Sequence, residues 1–172
     1  RALGVHGLYV LEAFLGTVGD LDVGYRATGT NPNLKFDEWH ADARCEHGLG
    51  RLLLSWNARP MESRIVVRGT RGTIEVDRFL QICRVHRVLP GPKFIGIVMN
   101  AFMSGLADVF RVPWNVLRFA TKQLKPSPGI QAGAAGFAQA LHDKTPPPVP
   151  PEEGLRAVAL MESVCATADA EP

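Results

Sequence analysis

A chain of 172 residues that is 46% hydrophobic and 21% charged, with a mean hydropathy near zero (+0.01), has the make-up of a single folded globular domain and not of a disordered or multispan membrane protein. Its 19 Lys and Arg against 17 Asp and Glu give a net charge of +2 without basic runs, so no surface for tracking nucleic acid is predicted. Three cysteines, Cys45, Cys83 and Cys165, are odd in number and form no CxxC pair, which signals neither a disulfide framework nor a zinc site; a reducing, cytoplasmic setting is expected.

The chain opens with Arg1, not Met, inside an apolar pattern, and reads as a fragment of something longer. Gly4 to Leu15 predicts a largely buried helix with Gly16 at its C-terminal end, and His6 lies in the first turn. Leu21, Val23, Tyr25 and Ala27 alternate with polar residues and predict a strand, closed by the turn-rich segment Gly29 to Asn33. In the next strand Trp39, Ala41, Ala43 and Cys45 face one way, and Glu38, His40, Asp42, Arg44 and Glu46 the other. Gly50 to Asp77 reads as three further strands that organise the sheet: Leu52, Leu54 and Trp56, then Ile65 with Val67, then Ile74 with Val76, share one apolar face. The opposite face is polar and mixed in sign, as in an antiparallel sheet covered on one side.

Leu80 to Val88 predicts one more strand, and then the pattern turns helical. Phe94 to Ala107 is an uncharged run of 14 residues, short of the roughly 20 that cross a bilayer, so burial is expected and a membrane partner is not; packing of Phe94 to Phe110 on a lipid-linked acceptor is a further reading. Pro113 is placed in the first turn of a new helix carrying Val116, Leu117, Ala120 and Leu124 and ending before Pro126 and Pro128. Another helix spans Ile130 to Leu141, with Gly133 and Gly136 expected to pack closely on the sheet. After the rigid connector Pro146 to Pro151, a last helix starts with Glu152 and Glu153 and is expected to bury Leu155, Val158, Ala159 and Cys165, with Glu162 awkwardly in that stripe.

For chemistry, Gly48-Leu49-Gly50 lacks a third glycine and leads into a strand, so no dinucleotide loop is present, and GxSxG, HExxH and Walker patterns are absent. Glu38, His40 and Asp42 share a face, but a solvated or interface role outweighs metal binding, and no metal site is assigned. Arg51, Arg64 and Arg68 are able to hold an anionic substrate or to discourage edge pairing.

Three segments appear in a characteristic order: Leu3-Gly4-Val5-His6, then Gly69 to Asp77, then Pro148 to Ala157. Together they resemble the C-terminal domain of the glucose-fructose oxidoreductase, inositol dehydrogenase and MocA (Gfo/Idh/MocA) family. The resemblance spans nearly the whole chain. It implies an α+β fold, with an open, mainly antiparallel sheet and helices on one face, like the C-terminal domain of glyceraldehyde-3-phosphate dehydrogenase. It also implies a substrate-binding and oligomerisation domain of an NAD(P)-dependent oxidoreductase acting on a sugar, polyol or nucleotide sugar. NAD or NADP would be held mainly by a Rossmann domain outside this chain, so no cofactor-binding residue is assigned here. The family's D-x-G-x-H element maps its histidine to His6 as the catalytic residue and its glycine to Gly4 at the substrate, while Arg64 and Arg68 are assigned to substrate binding. Two departures stand out, because the family's aspartates align with Ala2 and Tyr9. A noncatalytic interaction module that keeps the fold and pairs through the sheet is the rival reading.

Overall fold

The computed structural model describes residues 2–29, 34, 36–125 and 128–170. The turn expected at residues 30–33 and the position of Pro126 lie outside the described residues. The elements run α1 (Ala2–Leu15), β1 (Val18–Arg26), β2 (Glu38–Cys45), β3 (Gly48–Ser55), β4 (Arg64–Gly69), β5 (Gly72–Asp77), β6 (Ile82–Arg87), α2 (Lys93–Ala120), α3 (Pro128–Asp143) and α4 (Pro151–Ala170). The fold is α+β, with four helices and two three-stranded antiparallel sheets among the described residues. Two compact units result, residues 1–58 with 136–172, and residues 59–135.

The strands expected from Gly50 to Asp77 form as three, but they divide between the sheets: β3 pairs with β2, and β4 with β5. Local hydrogen bonding ends β3. The Ser55 hydroxyl accepts the Asn57 and Ala58 N–H groups, and the Trp56 N–H donates to the Asp37 carbonyl, which turns the chain out of the ladder.

In the first unit the sheet order is β1-β2-β3. Register places Val23, Ala41 and Leu52 opposite one another, and likewise Tyr25, Trp39 and Leu54, so period-two alternation produces one apolar face. Onto it α1 and α4 close the core of Leu8, Trp39, Ala41, Met161, Val164 and Cys165. The stripe of α4 differs from the expected one: Ala157, Met161, Val164 and Cys165 are buried, whereas Leu155, Val158 and Ala159 are exposed, as is Glu162, which therefore needs no buried partner. Small Ala157 and flexible Met161 allow a close approach to α1 that bulkier Leu155 would obstruct. Of the two glycines expected to pack on the sheet, Gly133 opens on free space and Gly136 meets Pro148 of the connector.

One buried carboxylate ties three ends of this sheet together. Asp37, 1% exposed, accepts from the Thr28 N–H at 2.9 Å and from the Thr28 hydroxyl, which in turn accepts from Asn57. These donors favour the ionised form and hold its pKa down from 3.8 to about 2, with the Thr28 hydroxyl as the largest cause. A depressed carboxyl contributes stability that is complete above its unfolded value and lost as pH falls through the folded one. Asp37→Asn is therefore expected to flatten the acid limb of a pH–melting curve between about pH 4 and 2. An unchanged limb would assign that limb to other carboxylates.

In the second unit the order is β4-β5-β6. Cross-strand pairs Ile65–Val76 and Val67–Ile74 realise the expected apolar face, and the Gly69–Gly72 link closes the hairpin. On the other face Arg84 pairs with Glu75 at 3.0 Å and with Asp108 of α2 at 2.7 Å. α2 is one helix of 28 residues, not a buried 14-residue run followed by a second helix, and Pro113 lies inside it. A mid-helix proline removes one backbone bond, but here anchors stand on both sides of it: Asn100 and Asp108 before, Asn115 after. By length and composition α2 is able to span a membrane.

Candidate functional site

His6, the sequence's catalytic candidate, sits on the exposed side of α1. What fixes that helix is glycine. A Cβ on Gly4 would stand 2.6 Å from Met161 Sδ and 2.8 Å from Trp39 Cζ2, and one on Gly7 would stand 2.6 Å from Leu52 Cδ2. Both glycines let the α1 backbone settle directly onto the sheet and α4, with Leu8 fully buried between them. His6 is thus carried outward on a helix whose inner side has little room to shift.

Gly4, expected at the substrate, is buried against Trp39 and Met161, so the packing of α1 accounts for the glycine. Tyr9, which stands where the family has an aspartate, donates its hydroxyl to Glu153 of α4 at 3.4 Å. That bond fastens α1 to α4; the tyrosine offers no carboxylate to the imidazole.

Arg64 and Arg68 lie four residues apart on the same side of β4, both exposed. Arg64 pairs with Glu62 at 3.2 Å and reaches Glu75 at 3.9 Å. These arginines belong to the second unit, and Gly4 and His6 to the first.

The outer face of the first sheet carries the Glu38, His40 and Asp42 trio. Asp42 accepts a two-point bond from Arg51, with Nη2 at 2.6 Å, which lowers the pKa of the carboxyl and raises that of the guanidinium. Glu38 accepts from Ser55 at 3.2 Å, and the His40 ring covers Gly24 opposite it. Among the described residues no group of three ligating side chains could hold a metal. Leu49 and Leu53 stand on the same face, 81% and 73% exposed, an apolar accent on an otherwise charged surface.

Gly48 and Gly50 do not fit the phosphates of a dinucleotide. Gly48 and Gly50 lie within β3, and a Cβ at either would meet Leu15 or Leu11 of α1, so these glycines serve helix packing and cradle no phosphate. A concavity of about 310 Å³ lies between the C-terminal half of α1, the start of β1 and α4, lined by Glu12, Thr17, Arg156 and Ser163 among others. Nothing in the sequence analysis singled it out, since its polar residues come from three elements. Glu12 stands six residues, roughly 9 Å along the helix, from His6. The three cysteines are free, and burial pushes the Cys45 thiol up.

No family model and no curated protein matches the sequence. Among solved structures, the chain is similar to the WlbA dehydrogenase from Bordetella pertussis, whose crystal structure is a complex with NADH and UDP-GlcNAcA. The match covers 97% of this chain and 44% of WlbA, at 18% identity and a TM-score of 0.57. The chain thus spans less than half the length of that enzyme, and across that span the two share an α+β fold.

Proposed function

We propose that this chain is the substrate-binding and dimerisation domain of an NAD(P)-dependent oxidoreductase acting on a sugar, polyol or nucleotide sugar. The observation that carries the reading is an exposed imidazole, His6, on a helix pinned by two glycines, within a fold shared with a dehydrogenase. In this reading His6 moves the hydroxyl proton of the reacting carbinol, and Arg64 and Arg68 steady anionic groups of the substrate. NAD or NADP belongs to a Rossmann domain outside this chain, consistent with the poor fit of the present glycines to a phosphate. Residues 1–172 act together as one substrate domain, pairing with a second copy through the outer sheet face around Leu49 and Leu53, in the cytoplasm.

The test is His6→Ala in the longer protein that contains this chain together with its nucleotide-binding half. Turnover is expected to fall about a hundredfold, within the range typical of a lost general acid or base, while coenzyme affinity stays unchanged. Unaltered kinetics, or an upstream segment without a glycine-rich strand–turn–helix, would remove the catalytic reading. The noncatalytic module is favoured by one observation, the commitment of Tyr9 to Glu153, which leaves His6 without the family's aspartate partner. Dimerisation of the longer protein without nicotinamide binding would select it.

A further inference from the structure

The polar side of α2 faces its own protein, and most of its apolar side does not; at its C-terminal end Val112, Val116 and Phe119 line a cavity of about 200 Å³ with Phe79, Leu80 and Leu124. Among the described residues, the side-chain hydrogen bonds from α2 to the β6 region come from one side of the helix: Asn100 brackets the Arg87 N–H and carbonyl, Asp108 holds Arg84, Arg111 donates to the Cys83 carbonyl, and Asn115 donates to the carbonyls of Leu80 and Gln81. At 100° per residue, these four side chains and the remaining charges, Lys93 and Arg118, fall within roughly a quarter of the circumference. The opposite half includes Ile95, Val98, Phe102, Leu106 and Val109, from 46% to 63% exposed. At one border stands Trp114, 60% exposed.

Charge says what covers this face. Residues 59–135 carry twelve Lys and Arg against four Asp and Glu, a net +8, whereas the rest of the chain carries seven against thirteen. The basic residues are even along the sequence as a whole, but the balance of sign is not. An apolar face set in so basic a unit meets repulsion from the same face of a second copy and attraction from an anionic surface; a 28-residue amphipathic helix bordered by a tryptophan suits a lipid leaflet better than the acidic remainder of another copy.

We propose that α2 is an in-plane membrane anchor, its apolar half sunk to the headgroup boundary of an anionic lipid leaflet. Trp114 lies at headgroup depth, and Lys122 and Lys125, just past the end of the helix, meet the phosphates. Crossing the bilayer is disfavoured although 28 residues reach about 42 Å, because it would strip α2 from β6 and carry Asp108 and Arg111 into hydrocarbon. This inference is independent of the redox reading.

The experiment is cosedimentation of the intact protein with vesicles of phosphatidylcholine alone or mixed with phosphatidylglycerol. Binding to the mixed vesicles is expected, weaker by about tenfold or more on phosphatidylcholine alone and falling with salt. Val98→Glu combined with Val109→Glu, both at exposed positions, is expected to abolish it with the circular dichroism unchanged. Lys122→Glu with Lys125→Glu is expected to weaken binding without touching the apolar face. Failure of the wild type to sediment with mixed vesicles would overturn the proposal. So would equal binding of the Val98→Glu/Val109→Glu variant, or lipid-free self-association that this variant dissolves.

Discussion

Leu8→Ala is expected to lower the unfolding free energy of the first unit by about 3 kcal/mol, shifting the urea midpoint without changing the slope. Leu8 is fully buried, at 0% exposure, in the cluster formed with Trp39, Ala41, Met161, Val164 and Cys165. Removing its isobutyl group takes away apolar burial and leaves a cavity between α1, the sheet and α4, which are held too closely elsewhere to collapse around it. Leu8→Met keeps most of the volume and should cost under about 1.5 kcal/mol. A loss below about 1 kcal/mol for Leu8→Ala would mean that α1 is not docked as described, and His6 would then lose its fixed bearing. Fluorescence of Trp39, which is 8% exposed in the same cluster, provides a local reading of the transition.

Gly4→Val is expected to destabilise by about 2–3 kcal/mol through overpacking. Its Cβ would fall 2.6 Å from Met161 Sδ and within 2.9 Å of the Trp39 ring. The thioether is able to swing aside; the indole is wedged in the core. Gly4→Ala has two opposed terms, a helix-propensity gain near 1 kcal/mol and a clash of about 1–3 kcal/mol, and should come out neutral to mildly destabilising. Combining Gly4→Val with Met161→Ala is expected to recover part of the loss, giving a coupling energy above about 0.5 kcal/mol. The same variants separate two roles for this glycine. If packing is the whole reason for it, Gly4→Ala in the longer enzyme will lower the melting temperature and leave KM alone; a raised KM at unchanged stability would restore Gly4 to the substrate.

Much of both sheets was legible as period. Trp39, Ala41 and Ala43 alternate strictly and are buried, and the pairs Ile65–Val76 and Val67–Ile74 follow from the same rule. Where the reading failed, size was taken for burial. In α4 the large Leu155 and Val158 drew the stripe, yet close helix packing selected the face with Ala157 and Met161. Pro113 suggested a helix start, because local propensity does not register asparagines and an aspartate that hold the helix to a strand on either side of it. The division of the sheet was hidden for a similar reason. It depends on Ser55, whose hydroxyl takes the N–H groups two and three residues on in a serine turn that the strand pattern outweighed, and on the Asp37 carbonyl, which takes the Trp56 N–H from a distant part of the sequence. At the site, His6 was found by resemblance, whereas the groove formed by Glu12, Arg156 and Ser163 has no signal in one dimension.

The separation of sign between the two units gives the whole-chain isoelectric point of 8.6 little descriptive value. Near neutral pH the averaged figure suggests a mildly basic molecule, whereas an anion exchanger would attract one half of the sequence and a cation exchanger the other. Ionic strength is therefore expected to govern how this protein handles in solution far more than two surplus charges would suggest.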